Sequence, residues 1–141
     1  MEIIRNPRNR LSLLLILVAI HSFCVGVGLI MRPAELMQLF GFGTCYERFF
    51  PTQGGVFHIV MVVAYLMAAF NVDEHHSLII FSIIVKIMAT VFLFIYFIAV
   101  EQIWLVLVSG LSDGIMGIAI YVALLLYLKS QKKSEISKKQ I

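Results

Sequence analysis

The stretch SLIIFSIIVKIMATVFLFIYFIAV, residues 77–100, decides the fold class, because Lys86 is the one charged residue in it. At about 1.5 Å of rise per residue, a helix of this length crosses the roughly 30 Å hydrocarbon core of a bilayer. Three further apolar runs have a comparable length, and they cover residues 11–31, 52–70 and 103–128. The sequence therefore predicts an all-α integral membrane four-helix bundle.

The composition agrees with this fold class. The 141 residues are 61% hydrophobic and 13% charged, and the mean hydropathy is +0.98. These values exclude an ordinary soluble domain. We expect a short segment at 1–10, a membrane domain at 11–128 and a basic, solvated and fraying tail at 129–141.

The basic residues predict the orientation. Arginines precede the first span, and lysines follow the last one: Arg5, Arg8, Arg10, Lys129, Lys132, Lys133, Lys138 and Lys139. Basic residues flank membrane spans mainly on the cytoplasmic side, so both termini are expected in the cytoplasm. Topology and anionic lipid account for the positive charge, and no nucleic-acid partner is expected.

The long connection between the first two spans predicts a short helix in the outer head-group region. Pro33 can begin this helix, and apolar residues share a face of it opposite Glu35 and Gln38: Leu36, Leu39 and Phe40. Gly41 and Gly43 are expected to end the helix. Pro51 is expected at the first position of the second span.

Lys86 and Asp113 are predicted to meet near the middle of the bilayer. Lys86 follows the start of the third span by about nine residues, and Asp113 follows the start of the antiparallel fourth span by about ten. An unpaired charge at this depth costs at least about 2.5–3.5 kcal/mol. The pair either fixes the helix register or forms a site that binds a ligand or passes a proton.

Small residues on the fourth span indicate close packing against a neighbouring helix. The fourth span carries a face of Ser109, Gly110, Asp113, Gly114 and Gly117.

The second span begins with Gln53, Gly54 and Gly55. Free N–H groups at this helix end suit an anionic or carbonyl head group, while the alternative is that the glycines serve packing.

His21 and His58 support two interpretations. They lie on neighbouring antiparallel spans, and imidazole is a common axial ligand of haem, so the pair could hold haem b. Their predicted depths differ by about 6 Å, which helix tilt would have to absorb. The alternative is a hydrogen bond from each ring to a nearby carbonyl or carboxylate. His75 and His76 are expected in a solvated turn rather than at a metal ion.

Cys24 lies in the first span and Cys45 lies in the loop after it. Neither belongs to a redox or metal motif, and both are expected to be free thiols.

Three motifs carry a resemblance to a known group. GVGLIMRPAELMQLFGF, then ERFF, then QGGVFHIVMVVAY resemble the DoxX-like small bacterial four-span proteins. This resemblance implies a multi-pass bundle in the bacterial inner membrane, and some members of the group are linked to quinol oxidase or thiosulfate-oxidation systems. It does not extend to Lys86 or Asp113.

YERFFPTQGGVF is also similar to the second helix of the membrane-associated eicosanoid and glutathione metabolism proteins. However, Gly55 stands where that family has an asparagine, and the later spans lack its glutathione-binding arginines.

The predicted function is to bind a lipophilic molecule, such as a quinone, or to serve as a subunit of a membrane complex or homo-oligomer. The polar interior would consist of His58, Lys86 and Asp113, joined by His21. The alternatives are a b-type haem protein that uses His21 and His58, and a proton-coupled transporter that uses Asp113. No nucleophile–base pair is visible in the sequence, so the balance is against an enzyme.

Overall fold

The chain folds into five helices in the computed structural model, which describes residues 6–32, 34–42 and 48–139. They are α1 (Pro7–Met31), α2 (Ala34–Leu39), α3 (Phe49–Phe70), α4 (His76–Ala99) and α5 (Trp104–Lys139). All except α2 are long and apolar enough to cross a membrane, and no strand occurs in the described ranges. The predicted all-α bundle of a multi-pass membrane protein is confirmed.

Two helix boundaries differ from the prediction. α3 begins at Phe49, so Pro51 lies in the first turn and not at the first position. Backbone N–H groups in a first turn have no partner within the helix, which makes a proline harmless there. α5 continues to Lys139, so the described part of the basic tail extends the last helix.

The short helix α2 ends as the sequence predicts. Gly41 has a φ of 87°, its N–H donates to the carbonyl of Gln38 at 3.0 Å, and the N–H of Phe42 donates to the carbonyl of Met37 at 3.0 Å. This pair of bonds is the Schellman motif, whose left-handed position favours glycine. Pro33, Gly43 and Cys45 lie outside the described residues.

The four long helices form two close pairs, α1 with α3 and α4 with α5, and the pairs meet mainly between α1 and α5. Gly26 and Gly55 bring α1 and α3 together, because a Cβ added at Gly55 would lie 2.7 Å from the carbonyl oxygen of Gly26.

In the second pair, the predicted glycine face of α5 packs on α4. A Cβ at Gly110 would lie 3.3 Å from Leu93, one at Gly114 would lie 3.4 Å from Thr90, and one at Gly117 would lie 3.2 Å from Lys86.

The hydrophobic core occupies one half of the bundle, which we call the closed half. This half holds the start of α1, the turn at 71–75 and the later turns of α5, and its largest buried side chains include Leu11, Leu15, Tyr65, Ile79, Ile120 and Tyr127. In the other half, called the open half, Ile103 and Val106 are the only buried hydrophobic side chains among the described residues. The bundle is therefore tightly packed at one end only.

Asp73 ties three elements together at the end of the closed half. Its carboxylate accepts a hydrogen bond from Arg8 Nε at 2.8 Å and one from the Tyr127 hydroxyl at 2.5 Å, while Gln131 Nε2 lies 3.5 Å away. The α3–α4 turn is thus joined to both the first turn of α1 and the later part of α5. The bond from Tyr127, with a contribution from Arg8, holds the pKa of Asp73 below its ordinary value of 3.8.

This carboxylate makes stability depend on pH in the acid range. Because the pKa of Asp73 is lower in the folded state, its contacts stabilise the fold above the unfolded-state pKa, and this stabilisation is lost as the pH falls through the lower folded-state pKa. We expect Asp73→Asn to lower the unfolding temperature near neutral pH and to flatten its decrease between about pH 5 and pH 3. Thermal unfolding in detergent across this range measures the effect. Glu74→Gln, which changes a carboxylate in the same turn, is the control, and an identical curve for Asp73→Asn and wild type contradicts the prediction.

Candidate functional site

Lys86 and Asp113 form a buried ion pair between α4 and α5, as their depths predict. Lys86 Nζ lies 2.5 Å from Asp113 Oδ1, and the two side chains are only 3% and 10% exposed. The glycine face of α5 allows this contact, since a Cβ at Gly117 would press on the Cβ of Lys86. The pair therefore presents the bundle interior with two charges that neutralise each other.

Lys86 has a second contact at its side chain and one at its backbone. Its ammonium lies 5.8 Å from the centroid of the Tyr65 ring, a distance typical of a cation–π contact. Thr90 donates its hydroxyl to the Lys86 carbonyl at 2.8 Å. Tyr65 belongs to the core of the closed half, so the ion pair lies at the boundary between that core and the open half.

His58 is fixed by Ser22 across the α1–α3 interface. Ser22 Oγ lies 3.1 Å from His58 Nδ1 and donates to the His58 carbonyl at 3.2 Å. Ser22 is fully buried beside Gly26, where α1 and α3 approach most closely. The serine thus sets both the position of α3 and the orientation of the imidazole.

His21 lies at about the same depth in the bundle as His58, and it faces α5. Its Nε2 is 3.5 Å from Ser112 Oγ, at the long limit of a hydrogen bond. Its Nδ1 is buried and has no partner among the described residues. Both imidazoles also lie within electrostatic range of Lys86 and Asp113. Four polar groups from four helices therefore form one layer across the bundle.

A cavity of about 520 Å³ lies in the open half, next to this polar layer. Its walls come from α1, α3, α4 and α5, and they include His21, Cys24, Val25, His58 and Ser109. Among the described residues that line it, none is an Asp, Glu, Lys or Arg. The cavity is mostly apolar with a few hydrogen-bonding groups, which is the usual character of a small-molecule site.

α2 and the residue that follows its Schellman turn cover part of this cavity. Met37, Phe40 and Phe42 line it from this side. Phe40 packs edge-to-face on Trp104 with 5.7 Å between the ring centroids, which attaches α2 to the start of α5. Leu39, predicted on the same face as Phe40, is instead exposed. The segment predicted to lie in the head-group region thus has a second face that lines the cavity.

The structure separates the other predicted site residues from this cavity. Gln53 is exposed at the fifth position of α3, beyond the first turn, and does not line the cavity. Gly54 meets only Leu29, at 3.9 Å, whereas Gly55 makes the close contact with α1. Of these two glycines, only Gly55 therefore allows α3 to pack closely on α1.

His75 and His76 lie in different surroundings. His76 packs its ring against Tyr127 and buries its Nε2, so the fully solvated turn predicted there is wrong for this residue. No group of three metal-ligating side chains occurs within the described ranges. Cys24 is a free thiol, as predicted, and it is exposed.

Several residues of the site were not predicted from the sequence. Ser22, Ser112 and Gly26 resemble ordinary small residues of membrane helices. Ser22 and Ser112 are adjacent in sequence to His21 and Asp113 respectively, and that adjacency is the one available signal. Asp73, which pairs with Arg8, lies in the same connection as His75 and His76, and the sequence signal for it is an acidic residue and a basic N-terminal segment that are both expected on the cytoplasmic side.

No family model matches the chain, and neither a curated protein nor a solved structure matches it. The resemblance to the DoxX-like group stays a prediction.

Both predicted haem ligands line the same cavity, but each has only one nitrogen for a metal. Nδ1 of His58 contacts Ser22, and Nδ1 of His21 is covered by protein atoms. An iron would therefore reach each ring through Nε2, and at His21 it would replace the 3.5 Å contact of that nitrogen with Ser112. The fixed Nδ1 of His58 resembles the outer-shell hydrogen bond that orients a ligating histidine.

Proposed function

We propose that the protein binds a neutral lipophilic molecule in the cavity of the open half, with the head group of the molecule at the level of His21 and His58. With both termini in the cytoplasm, as the basic residues indicate, the cavity faces the outer leaflet. The resemblance to the DoxX-like group favours the bacterial inner membrane as the location. The ligand would reach the cavity from the lipid phase.

One observation carries this proposal: packing is complete in the closed half and absent where the cavity lies. Evenly packed bundles bury apolar side chains along their whole length, because protein interiors are close-packed. Here the open half leaves about 520 Å³ unfilled, within the range of small-molecule sites. The apolar walls suit a lipophilic body, and the two imidazoles with Ser109 suit a polar head group.

The charges of the bundle favour a neutral ligand. Lys86 and Asp113 neutralise each other and do not line the cavity, and no described residue of the lining is an Asp, Glu, Lys or Arg. A charged head group would lose its hydration at this depth without an unpaired partner of opposite charge. We therefore expect the ion pair to support the site without contacting the ligand as a charge.

Filling the cavity should remove the ligand. Val25→Trp adds a bulky ring to the wall, so a small molecule retained by wild type should be lost from the variant. Native mass spectrometry of protein purified in mild detergent detects the retained mass. Val63→Trp is the matched control, because Val63 is exposed on the outer surface of α3.

Two results would refute the proposal. One is wild type that carries no small molecule, even when the membranes are supplied with a lipophilic extract of the host. The other is a retained mass that Val25→Trp and Val63→Trp lower equally, since that mass would belong to the outer surface.

A haem protein is the second candidate, because both histidines line one cavity with Nε2 as the remaining nitrogen. A reduced-minus-oxidised visible spectrum of protein from a haem-sufficient host tests this candidate. Soret and alpha bands that disappear in both His21→Ala and His58→Ala would support haem, and a flat spectrum would remove it.

The tight packing of the closed half argues against a proton-coupled transporter that uses Asp113. Such a transporter would need an alternate opening beyond Asp113, where the core between α1 and α5 is now packed. A role as a subunit of a membrane complex is compatible with ligand binding and shares its test.

A further inference from the structure

We infer that His58 Nε2 accepts a hydrogen bond from a hydroxyl group of the ligand, so the ligand is a lipophilic alcohol or phenol. This inference rests on the proposed ligand-binding function and adds the chemical class of the ligand.

The argument counts hydrogens between Ser22 and His58. Ser22 Oγ has a single proton, and the carbonyl of His58 can only accept, so both contacts of Ser22 are hydrogen bonds only when this proton goes to the carbonyl at 3.2 Å. The 3.1 Å contact with His58 Nδ1 must then run the other way, with Nδ1–H donating to Ser22 Oγ. In a neutral imidazole with its proton on Nδ1, Nε2 carries a lone pair and is an acceptor.

Nε2 of His58 is available to a ligand. It forms no hydrogen bond with any described residue, it is not among the fully buried atoms, and His58 lines the cavity. A ligand that offers only a carbonyl or an ether oxygen would place an acceptor against this acceptor. A hydroxyl supplies the missing proton, and Ser109, which also lines the cavity, can exchange a second hydrogen bond with the same oxygen.

Ser22 is a positioning residue in this scheme. Its hydroxyl keeps the proton of His58 on Nδ1 from a buried site where α1 and α3 meet. Without it, the proton is free to move to Nε2, and the site changes from an acceptor to a donor.

The experiment compares para-dodecylphenol with its methyl ether, which have nearly the same shape but differ in the hydroxyl proton. The protein carries Cys45→Ser and is reconstituted into phosphatidylcholine nanodiscs, so Cys24 is its only thiol. Because Cys24 lines the cavity and is exposed, a bound probe should slow its alkylation by a maleimide. The concentration of each probe that halves the alkylation rate gives its apparent affinity.

We expect the phenol to protect Cys24 at about tenfold lower concentration than the ether, which corresponds to one hydrogen bond of about 1.4 kcal/mol. His58→Phe should remove this preference while the ether still binds. Equal protection by both probes in wild type would overturn the inference and leave the proposed function standing. Protection by neither probe would overturn both.

A spectroscopic measurement on otherwise unmodified protein tests the same point if His58→Phe does not fold. In the two-bond proton–nitrogen spectrum of histidine-labelled protein, the His58 signals should have the pattern of the Nδ1–H form, and the phenol should shift the Nε2 signal. In Ser22→Ala the Nε2–H form should gain population. Wild type in the Nε2–H form would overturn the inference, since that nitrogen would then donate.

Discussion

Asp113→Asn should lower the free energy of unfolding by about 3–5 kcal/mol, which is the largest effect of any single change considered. The substitution keeps the shape of the side chain but leaves the Lys86 ammonium without its opposite charge. Lys86 is only 3% exposed, so no water replaces the lost carboxylate. Reversible unfolding in mixed micelles with increasing denaturing detergent measures the loss.

The double variant Lys86→Met/Asp113→Leu should recover most of this stability, because an apolar pair of similar size removes both charges together. Glu101→Gln, which removes a carboxylate from the exposed α4–α5 connection, is the control and should be nearly neutral. A double variant as unstable as Asp113→Asn would contradict the prediction and show that the pair contributes more than mutual neutralisation. A recovered double variant that also retains the small molecule would assign the pair to the scaffold.

The meeting of Lys86 and Asp113 was predictable because one short connection fixes it. α4 ends at Ala99 and α5 begins at Trp104, so depth can be counted from this turn. Lys86 precedes Ala99 by 13 residues and Asp113 follows Trp104 by nine, and the long lysine side chain spans the difference of about 6 Å. The spacing of Gly110, Gly114 and Gly117 gives the face of α5 that packs on α4. Sequence periodicity and one tight turn therefore determine the part of the site that Lys86 and Asp113 form.

The contact between Ser22 and His58 was not predictable in the same way. The long connection between α1 and α3 contains α2 and does not fix which turn of one helix meets which turn of the other. Counting depths placed His21 and His58 about 6 Å apart, whereas the partner of His58 is Ser22. The rotation of α1 about its axis decides that partner, and it depends on where the backbones can approach.

The cavity could not be predicted from the sequence either. The apolar residues of the open half are as hydrophobic as those of the closed half, so composition does not show that one half packs and the other does not. The two halves differ in the path of α2 and Phe42, which line the cavity of the open half. The contact between Phe40 and Trp104 attaches this segment to α5. This path depends on a left-handed glycine turn and a tertiary aromatic contact, and neither has a helical periodicity.

Gly26→Ala is the second change with a large expected effect, because it tests the close contact between α1 and α3. A Cβ at Gly26 would lie 2.8 Å from Ile59 Cδ1 and 2.9 Å from the carbonyl oxygen of Gly55. The isoleucine side chain can rotate away, but the carbonyl belongs to the backbone of α3. The helices must then separate, and we expect a loss of about 1–3 kcal/mol in the free energy of unfolding.

Gly55→Ala should lose a similar amount, because its Cβ would meet the carbonyl oxygen of Gly26 at 2.7 Å. The chain offers a matched control for each change: Gly28 has nothing within 4 Å of an added Cβ, and Gly54 has only Leu29 at 3.9 Å. Gly28→Ala and Gly54→Ala should therefore be neutral or slightly stabilising, since alanine favours a helix. Equal losses at Gly26 and Gly28 would contradict the prediction, because only the Cβ at Gly26 would meet the neighbouring helix. A loss confined to Gly26 and Gly55 would assign the close α1–α3 contact to these two glycines, which lie on the interface that Ser22 and His58 also bridge at 3.1 Å.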